Sequence, residues 1–217
     1  MPFRDRIDAG KRLAVALESY RKALPVVLAL PRGGVPVGAE IARALNAPLD
    51  LILVRKLGVP GEPELAMGAV VDGSKPIVVR NEQVIAAIGI SDPEFQSVCR
   101  HELAEIDRRR ELYLGGRARP DVAGRTVIIV DDGLATGATA RAGVDATRLR
   151  RPSKIVIAVP VAPNDTLASM RAEADDVVCL ESYDLFGSIG DYYQDFRQVS
   201  DEEVIAALAV SEPLAPI

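Results

Sequence analysis

The stretch "VIIVDDGLATGATARAG", Val127 to Gly143, sets four apolar β-formers before two adjacent acids, then small residues, then a helical pattern. A short run of β-branched apolar residues predicts a buried strand, so Asp131 and Asp132 fall at its carboxyl end, where the chain leaves the pleat. There they are acceptors for hydroxyls or a metal. The following "ATGAT", Ala135 to Thr139, is able to wrap an anion with backbone N–H groups. Gly137 permits positive φ and close approach, Ala135 and Ala138 add little but main chain, and Thr136 and Thr139 bring hydroxyls to a helix N-terminus. A vicinal diol beside a phosphate describes ribose 5-phosphate, the ligand this order of residues predicts. Taken singly, each residue has a plainer role, because Asp closes turns and Thr caps helices. The ordered set argues for the ligand.

The same alternation continues along the chain. "PVVLAL" (25–30), "LDLILVRK" (49–56), "KIVIAVP" (154–160) and "DVVCLE" (176–181) read as further buried strands. Between the strands stand helical patterns at 35–45, 138–150 and 164–172. Repeated strand–helix–strand order predicts an α/β fold, a doubly wound and mainly parallel sheet with both faces covered. Two parts break the rhythm. Residues 57–90 are rich in Gly and Pro around a short hairpin, and 91–114 form a long charged helix opening on "SDPE", a capping-box pattern. We expect 57–120 to be a flexible inserted loop and helix within a single domain, 1–217, and 181–217 to be a small C-terminal hood.

Composition removes several function classes. At 217 residues and 48% hydrophobic the chain is long enough to bury one core, and its net charge of −5 offers no basic footprint for nucleic acid. Cys99 and Cys179 lie far apart and His101 is the sole histidine, which suggests neither a zinc cluster nor a disulfide framework. No run of 18 apolar residues occurs, and the charged start "MPFRDRIDAGKRLAVAL" reads as an amphipathic helix, unlike a secretory signal. The expectation is a cytoplasmic protein with small-molecule ligands and no nucleic-acid or membrane partner; a homodimer stays open. His101 reads as a surface residue. Arg108, Arg109 and Arg110 read as a solvated face with partners such as Glu105.

In open parallel sheets ligands sit outside the carboxyl ends of the strands. "PRGG", Pro31 to Gly34, follows the first strand and opens a helix, so Arg32 and the N–H groups of Gly33 and Gly34 are placed to hold a diphosphate; a turn with an exposed Arg is the plainer alternative. Arg55 and Lys56 close the second predicted strand, where a basic pair is often merely solvated.

Residues 127–139 resemble the ribose-phosphate signature of the type I phosphoribosyltransferases. With "LALPRGGVPVG" and "LVRKLGVPGEPELAMGAV", nearly the whole chain is similar to a group of bacterial phosphoribosyltransferases. That resemblance implies that Asp131 and Asp132 bind the ribose 2- and 3-hydroxyls of phosphoribosyl pyrophosphate, and that Ala135 to Thr139 bind the 5-phosphate. It implies that Pro31 to Gly34 form the pyrophosphate loop, with a non-proline cis peptide between Pro31 and Arg32. Arg55 and Lys56 would begin a flexible loop closing over the diphosphate. Asp131, Asp132 and Arg32 would be the catalytic groups. Mg2+ is implied as well, near Asp132 and Asp191.

The resemblance leaves the acceptor open. "DLFGSIGDYYQDFRQVSDEEV" resembles the segment in 6-oxopurine enzymes where a hydrophobic residue stacks on the base and an Asp lies near base and metal, roles that fall on Phe186 and Asp191. Yet Ala135, the residue that adenine and orotate enzymes also show at this position, stands where 6-oxopurine enzymes often carry an Asp, and "VPVAPNDT" lacks their lysine. The leading expectation is transfer of ribose 5-phosphate between phosphoribosyl pyrophosphate and a nitrogenous base, a purine before others. The alternative is a non-catalytic regulator of the same fold that binds a nucleotide or phosphoribosyl pyrophosphate.

Overall fold

The computed structural model describes residues 2–73 and 76–210. In chain order come α1 (Arg6–Ala16), β1 (Val26–Ala29), α2 (Gly34–Leu45) and β2 (Leu49–Leu51). Then follow β3 (Val54–Val59), β4 (Glu62–Val71), β5 (Ile77–Arg80), α3 (Glu82–Ile88) and α4 (Asp92–Leu114). The chain closes with β6 (Thr126–Val130), α5 (Ala138–Leu149), β7 (Lys154–Pro163), α6 (Asn164–Met170), β8 (Asp176–Tyr183) and α7 (Asp201–Val210). These elements form two compact units, one from residues up to Leu51 and from Arg117 onward, the other from Ile52 to Gly116.

The first unit is a five-stranded sheet in the order β2-β1-β6-β7-β8, with each neighbouring pair parallel. Its strands β1 and β6 are buried along their whole length, as expected of apolar runs covered on both faces. The chain runs outward from β1 to β2 on one side and from β6 through β7 to β8 on the other, so the switch point lies between β1 and β6. Register aligns their ends: Ala29 pairs with Val130, and the Leu30 N–H donates to the Val130 carbonyl over 2.9 Å. The segment after β1 and the acids after β6 therefore emerge side by side. The predicted doubly wound α/β class is the observed one.

The run "LDLILVRK" is not one strand. It is β2 in the parallel sheet, then two buried residues, Ile52 and Leu53, then β3 in the other unit. No Gly or Pro marks the break, because every residue from Leu49 to Val54 except Asp50 is apolar and suits either sheet. The Asp72 N–H donates to the Leu53 carbonyl over 2.8 Å where the new pairing begins. Arg55 and Lys56 consequently lie on β3 and not at the end of a parallel strand.

The second unit is an antiparallel sheet β3-β4-β5, with a register shift around Gly58, joined to α3 and α4. The expected hairpin is thus a three-stranded meander followed by a short helix. Helix α4 opens on the predicted capping box: the Ser91 N–H donates to a Glu94 carboxylate oxygen over 3.0 Å. Glu105 accepts from Arg108 and Arg109, both over 2.7 Å, and these guanidinium groups hold its carboxyl down to about 2. Arg110 departs from the solvated face and reaches the buried Asp72 over 2.7 Å. His101 is exposed.

Candidate active site

The site grows from the ends of β1 and β6. Asp131 turns back so that its Oδ1 accepts the Asp132 N–H over 2.9 Å. The Pro31–Arg32 peptide is cis, and the loop that follows sits on the acids. A β-carbon on Gly33 would stand 2.0 Å from Asp132 Oδ2, and one on Gly34 would stand 2.6 Å from the Val130 carbonyl oxygen. No larger side chain fits at either position. Arg32 is half-buried and reaches Asp201, at the start of α7, over 3.4 Å.

Asp132 is held from three sides. Arg6, in the first turn of α1, donates from Nε to its Oδ2 over 2.7 Å, with both side chains 11% exposed. The Tyr193 hydroxyl donates to its main-chain carbonyl over 2.6 Å. Gly33 packs on its carboxylate. Burial raises the Asp131 carboxyl well above its ordinary range, and the neighbouring Asp132 charge adds to this. Burial also raises Asp132, there opposed by Arg6. Two acids forced together, with the Arg6 cation beside Asp132, thus hold Asp131 above the ordinary carboxylate range.

The small-residue loop is fixed by β7 and α6. The Leu134 N–H donates to the Val161 carbonyl over 2.9 Å, and the Thr166 hydroxyl donates to the Ala135 carbonyl over 2.8 Å. Gly137 precedes α5 with φ +72°, and a β-carbon there would press on Met170 Sδ at 3.0 Å and Thr166 Cγ2 at 3.1 Å. Ala135, Thr136, Ala138 and Thr139 are exposed. Their loop leads into the N-terminus of α5, a setting suited to an anion, and Thr136 Oγ1 accepts the Ala138 N–H over 3.4 Å.

The C-terminal segment borders this loop through Ile189, whose Cγ2 would lie 2.6 Å from a β-carbon on Gly133. Tyr192 is sandwiched between the rings of Tyr183, at 4.7 Å, and Phe186, at 4.9 Å. Asp191 is exposed, and its carboxylate accepts the Ser188 N–H over 2.7 Å, capping its own 3-10 turn. Residues past 210, which the expected hood included, lie outside the described residues.

The first unit thus brings together Pro31 to Gly34, Asp131, Asp132 and the loop from Ala135 to Thr139, with Phe186 and Asp191 on the neighbouring segment. In the second unit, Arg55 is ion-paired with Glu102 over 2.6 Å and Lys56 is exposed. Arg6, Tyr193 and Phe196 are the additions that sequence reasoning did not supply. The cluster of aromatic residues between Tyr183 and Phe196 was the only signal for the latter two. Among the described residues no group of three or more His, Cys, Asp or Glu is arranged to hold a metal. An oxygen-only pair such as Asp131 and Asp132 still fits Mg2+, which binds through one or two carboxylates together with substrate phosphates.

A parallel α/β sheet with an acid pair and a small-residue loop at its switch point defines the architectural class. Residues 6–197 match the phosphoribosyl transferase domain, and the chain belongs to that family, with the type I fold. It is 46% identical over 206 residues to an inferred phosphoribosyl transferase of Mycobacterium tuberculosis, Rv0571c. The match covers 95% of this chain and 46% of the relative, so the chain spans about half the length of the curated relatives it matches. The crystal structure of TT1426 from Thermus thermophilus superposes with a TM-score of 0.82 at 40% identity, covering 96% of this chain and 98% of that one. The AQ2163 protein of Aquifex aeolicus shares the fold at a TM-score of 0.50 and 10% identity, over 82% of this chain and 74% of that one. No helix among the described residues is long and apolar enough to cross a membrane.

Proposed function

We propose that the protein transfers ribose 5-phosphate between phosphoribosyl pyrophosphate and a nitrogenous base, with release of pyrophosphate, as a cytoplasmic enzyme of nucleotide salvage. One observation carries this reading: the acid pair, Asp131 half-buried and Asp132 buried, lies directly under the Gly33 loop and directly before the Gly137 loop. A diol site is thereby flanked by two anion sites, the order of groups in the donor.

In the reaction the bond from ribose C1 to the diphosphate oxygen breaks, its electrons leave with pyrophosphate, and C1 bonds to a ring nitrogen of the base, which loses its proton. The centre at C1 is oxocarbenium-like, so the protein contributes position and electrostatics. Asp131 and Asp132 accept from the 2- and 3-hydroxyls and set their negative charge near C1. The main-chain N–H groups and hydroxyls from Ala135 to Thr139 hold the 5-phosphate. Pro31 to Gly34 present N–H groups to the diphosphate, and Arg32 exchanges Asp201 for it. Mg2+, when bound, would be held by Asp132, with Asp191 nearby, and would neutralise diphosphate charge. Phe186 offers a ring face and Asp191 a carboxylate to the base, and a purine is the acceptor we favour, because a large flat ring covers more of that face.

The test is pyrophosphate release from phosphoribosyl pyrophosphate with magnesium across a panel of purine and pyrimidine bases. Release with one base, abolished in Asp131→Asn, Asp132→Asn, is the expected result. Tight donor binding with no release from any base would favour the regulator of the same fold instead.

A further inference from the structure

Arg6 lies far in sequence from the motifs that define the ligand loops, yet it donates to an acid of the pair. The geometry that delivers it is built by the two ends of the domain. The Phe3 N–H donates to the Tyr192 carbonyl over 2.8 Å, the Gln194 N–H to the Phe3 carbonyl over 2.8 Å, and the Asp195 N–H to the Arg4 carbonyl over 2.9 Å. This short parallel pairing ends where α1 begins, with Asp5 as its N-cap. Arg6 then projects onto the C-terminal segment. Its guanidinium carbon stands 3.9 Å above the Phe196 ring and 6.0 Å from the Tyr193 ring, Nη1 donates to the Arg197 carbonyl over 2.9 Å, and Nε donates to Asp132.

We propose that Arg6 is a positioning residue for the ribose site: it fixes the Asp132 carboxylate in one orientation, without touching the ligand. This rests on the reading of Asp131 and Asp132 as the diol site. Two features carry it. Arg6 is too enclosed, at 11% exposure, to be a diphosphate ligand. Its planar group is used in three directions at once, toward a carboxylate, a carbonyl and a ring, which a lysine ammonium on a flexible stem does not reproduce. The same clamp ties the orientation of Asp132 to the C-terminal segment, because Tyr193 and Phe196 hold the acid's main chain and the guanidinium face respectively.

The experiment compares binding of ribose 5-phosphate and of 2,3-dideoxyribose 5-phosphate to wild type, Arg6→Gln and Arg6→Lys by titration calorimetry, with thermal unfolding in parallel. Wild type should prefer the diol sugar. Arg6→Gln should lose about 10- to 100-fold in affinity for it, the usual effect of removing a group that orients a ligating residue. Its affinity for the dideoxy sugar should be unchanged, and Arg6→Lys should recover part of the loss. Equal weakening of both sugars in Arg6→Gln would make Arg6 a purely structural residue and overturn the proposal, as would an undiminished preference for the diol. If Arg6→Gln does not fold, Arg6→Lys decides: a loss confined to the diol sugar supports the proposal, and wild-type behaviour refutes it. A wild type that does not distinguish the sugars would instead sink the diol reading itself.

Discussion

Gly33 lies directly on the carboxylate of Asp132, close enough that a β-carbon would stand 2.0 Å from Oδ2. The loop after β1 and the acids after β6 are therefore one device. Gly33 has φ −60°, an ordinary helical value, so space and not backbone conformation demands glycine here. Gly33→Ala should displace Asp132, with an overpacking cost of about 1 to 3 kcal/mol and a large loss of donor affinity. Denaturant unfolding and donor titration check this. An alanine variant with full affinity would mean that Asp132 does not need its observed position.

Asp131 should separate stability from function. Burial and the neighbouring charge raise its folded pKa above the unfolded value, so between those two values the native state binds more protons and stability falls as pH rises. Above the folded value the penalty is fully present. Asp131→Asn removes that ionisation while an amide oxygen still accepts the Asp132 N–H. In magnesium-free buffer at mildly alkaline pH, the variant should unfold at equal or higher denaturant than wild type while losing donor affinity. A clear destabilisation would show that the carboxylate serves the fold.

Tyr193 donates to the main-chain carbonyl of Asp132 inside a buried aromatic cluster with Phe3 and Phe196. Burial first, then the nearby Asp132 charge, pushes its phenol up, so the hydroxyl keeps its proton and remains a donor. Tyr193→Phe keeps the ring and removes the donor, leaving the carbonyl unsatisfied at a cost of about 1 to 3 kcal/mol. The lowered unfolding midpoint should come with a weaker donor affinity. No change in the midpoint would mean that the bond contributes nothing net.

Phe186 presents one face to Tyr192 at 4.9 Å. If its other face takes the base, Phe186→Ala should weaken base binding by about 1 to 3 kcal/mol, the range for a base stacked on a protein aromatic, and leave the phosphoribosyl donor unaffected. Separate titrations of base and donor distinguish the two. Loss of donor affinity alone would place this segment outside the acceptor pocket.

The parts of the fold legible in the sequence were those whose signal is local. "TVIIV" is buried at every residue, so an uninterrupted apolar run read correctly as a central strand, and "SDPE" read correctly as a helix start because a capping box is complete within four residues. The break inside "LDLILVRK" left no trace, since Ile52 and Leu53 are as apolar as the strands on either side and the change of sheet is decided by the distant partner Asp72. For the same reason Arg6 was invisible: its partner is 126 positions away, and nothing in "MPFRDRIDAG" distinguishes a surface arginine from one clamped on an acid. Asp191 stands in a motif that resembles a base-binding segment, whereas its local setting is the cap of its own 3-10 turn.

The central claim is that Asp131 and Asp132 hold the ribose of a phosphoribosyl donor. Titration of phosphoribosyl pyrophosphate with magnesium into wild type and into Asp131→Asn, Asp132→Asn tests it most directly. The account predicts binding to wild type that is lost in the double variant, which still unfolds cooperatively. A wild type that does not bind the donor, or a double variant that binds it equally well, would contradict the account.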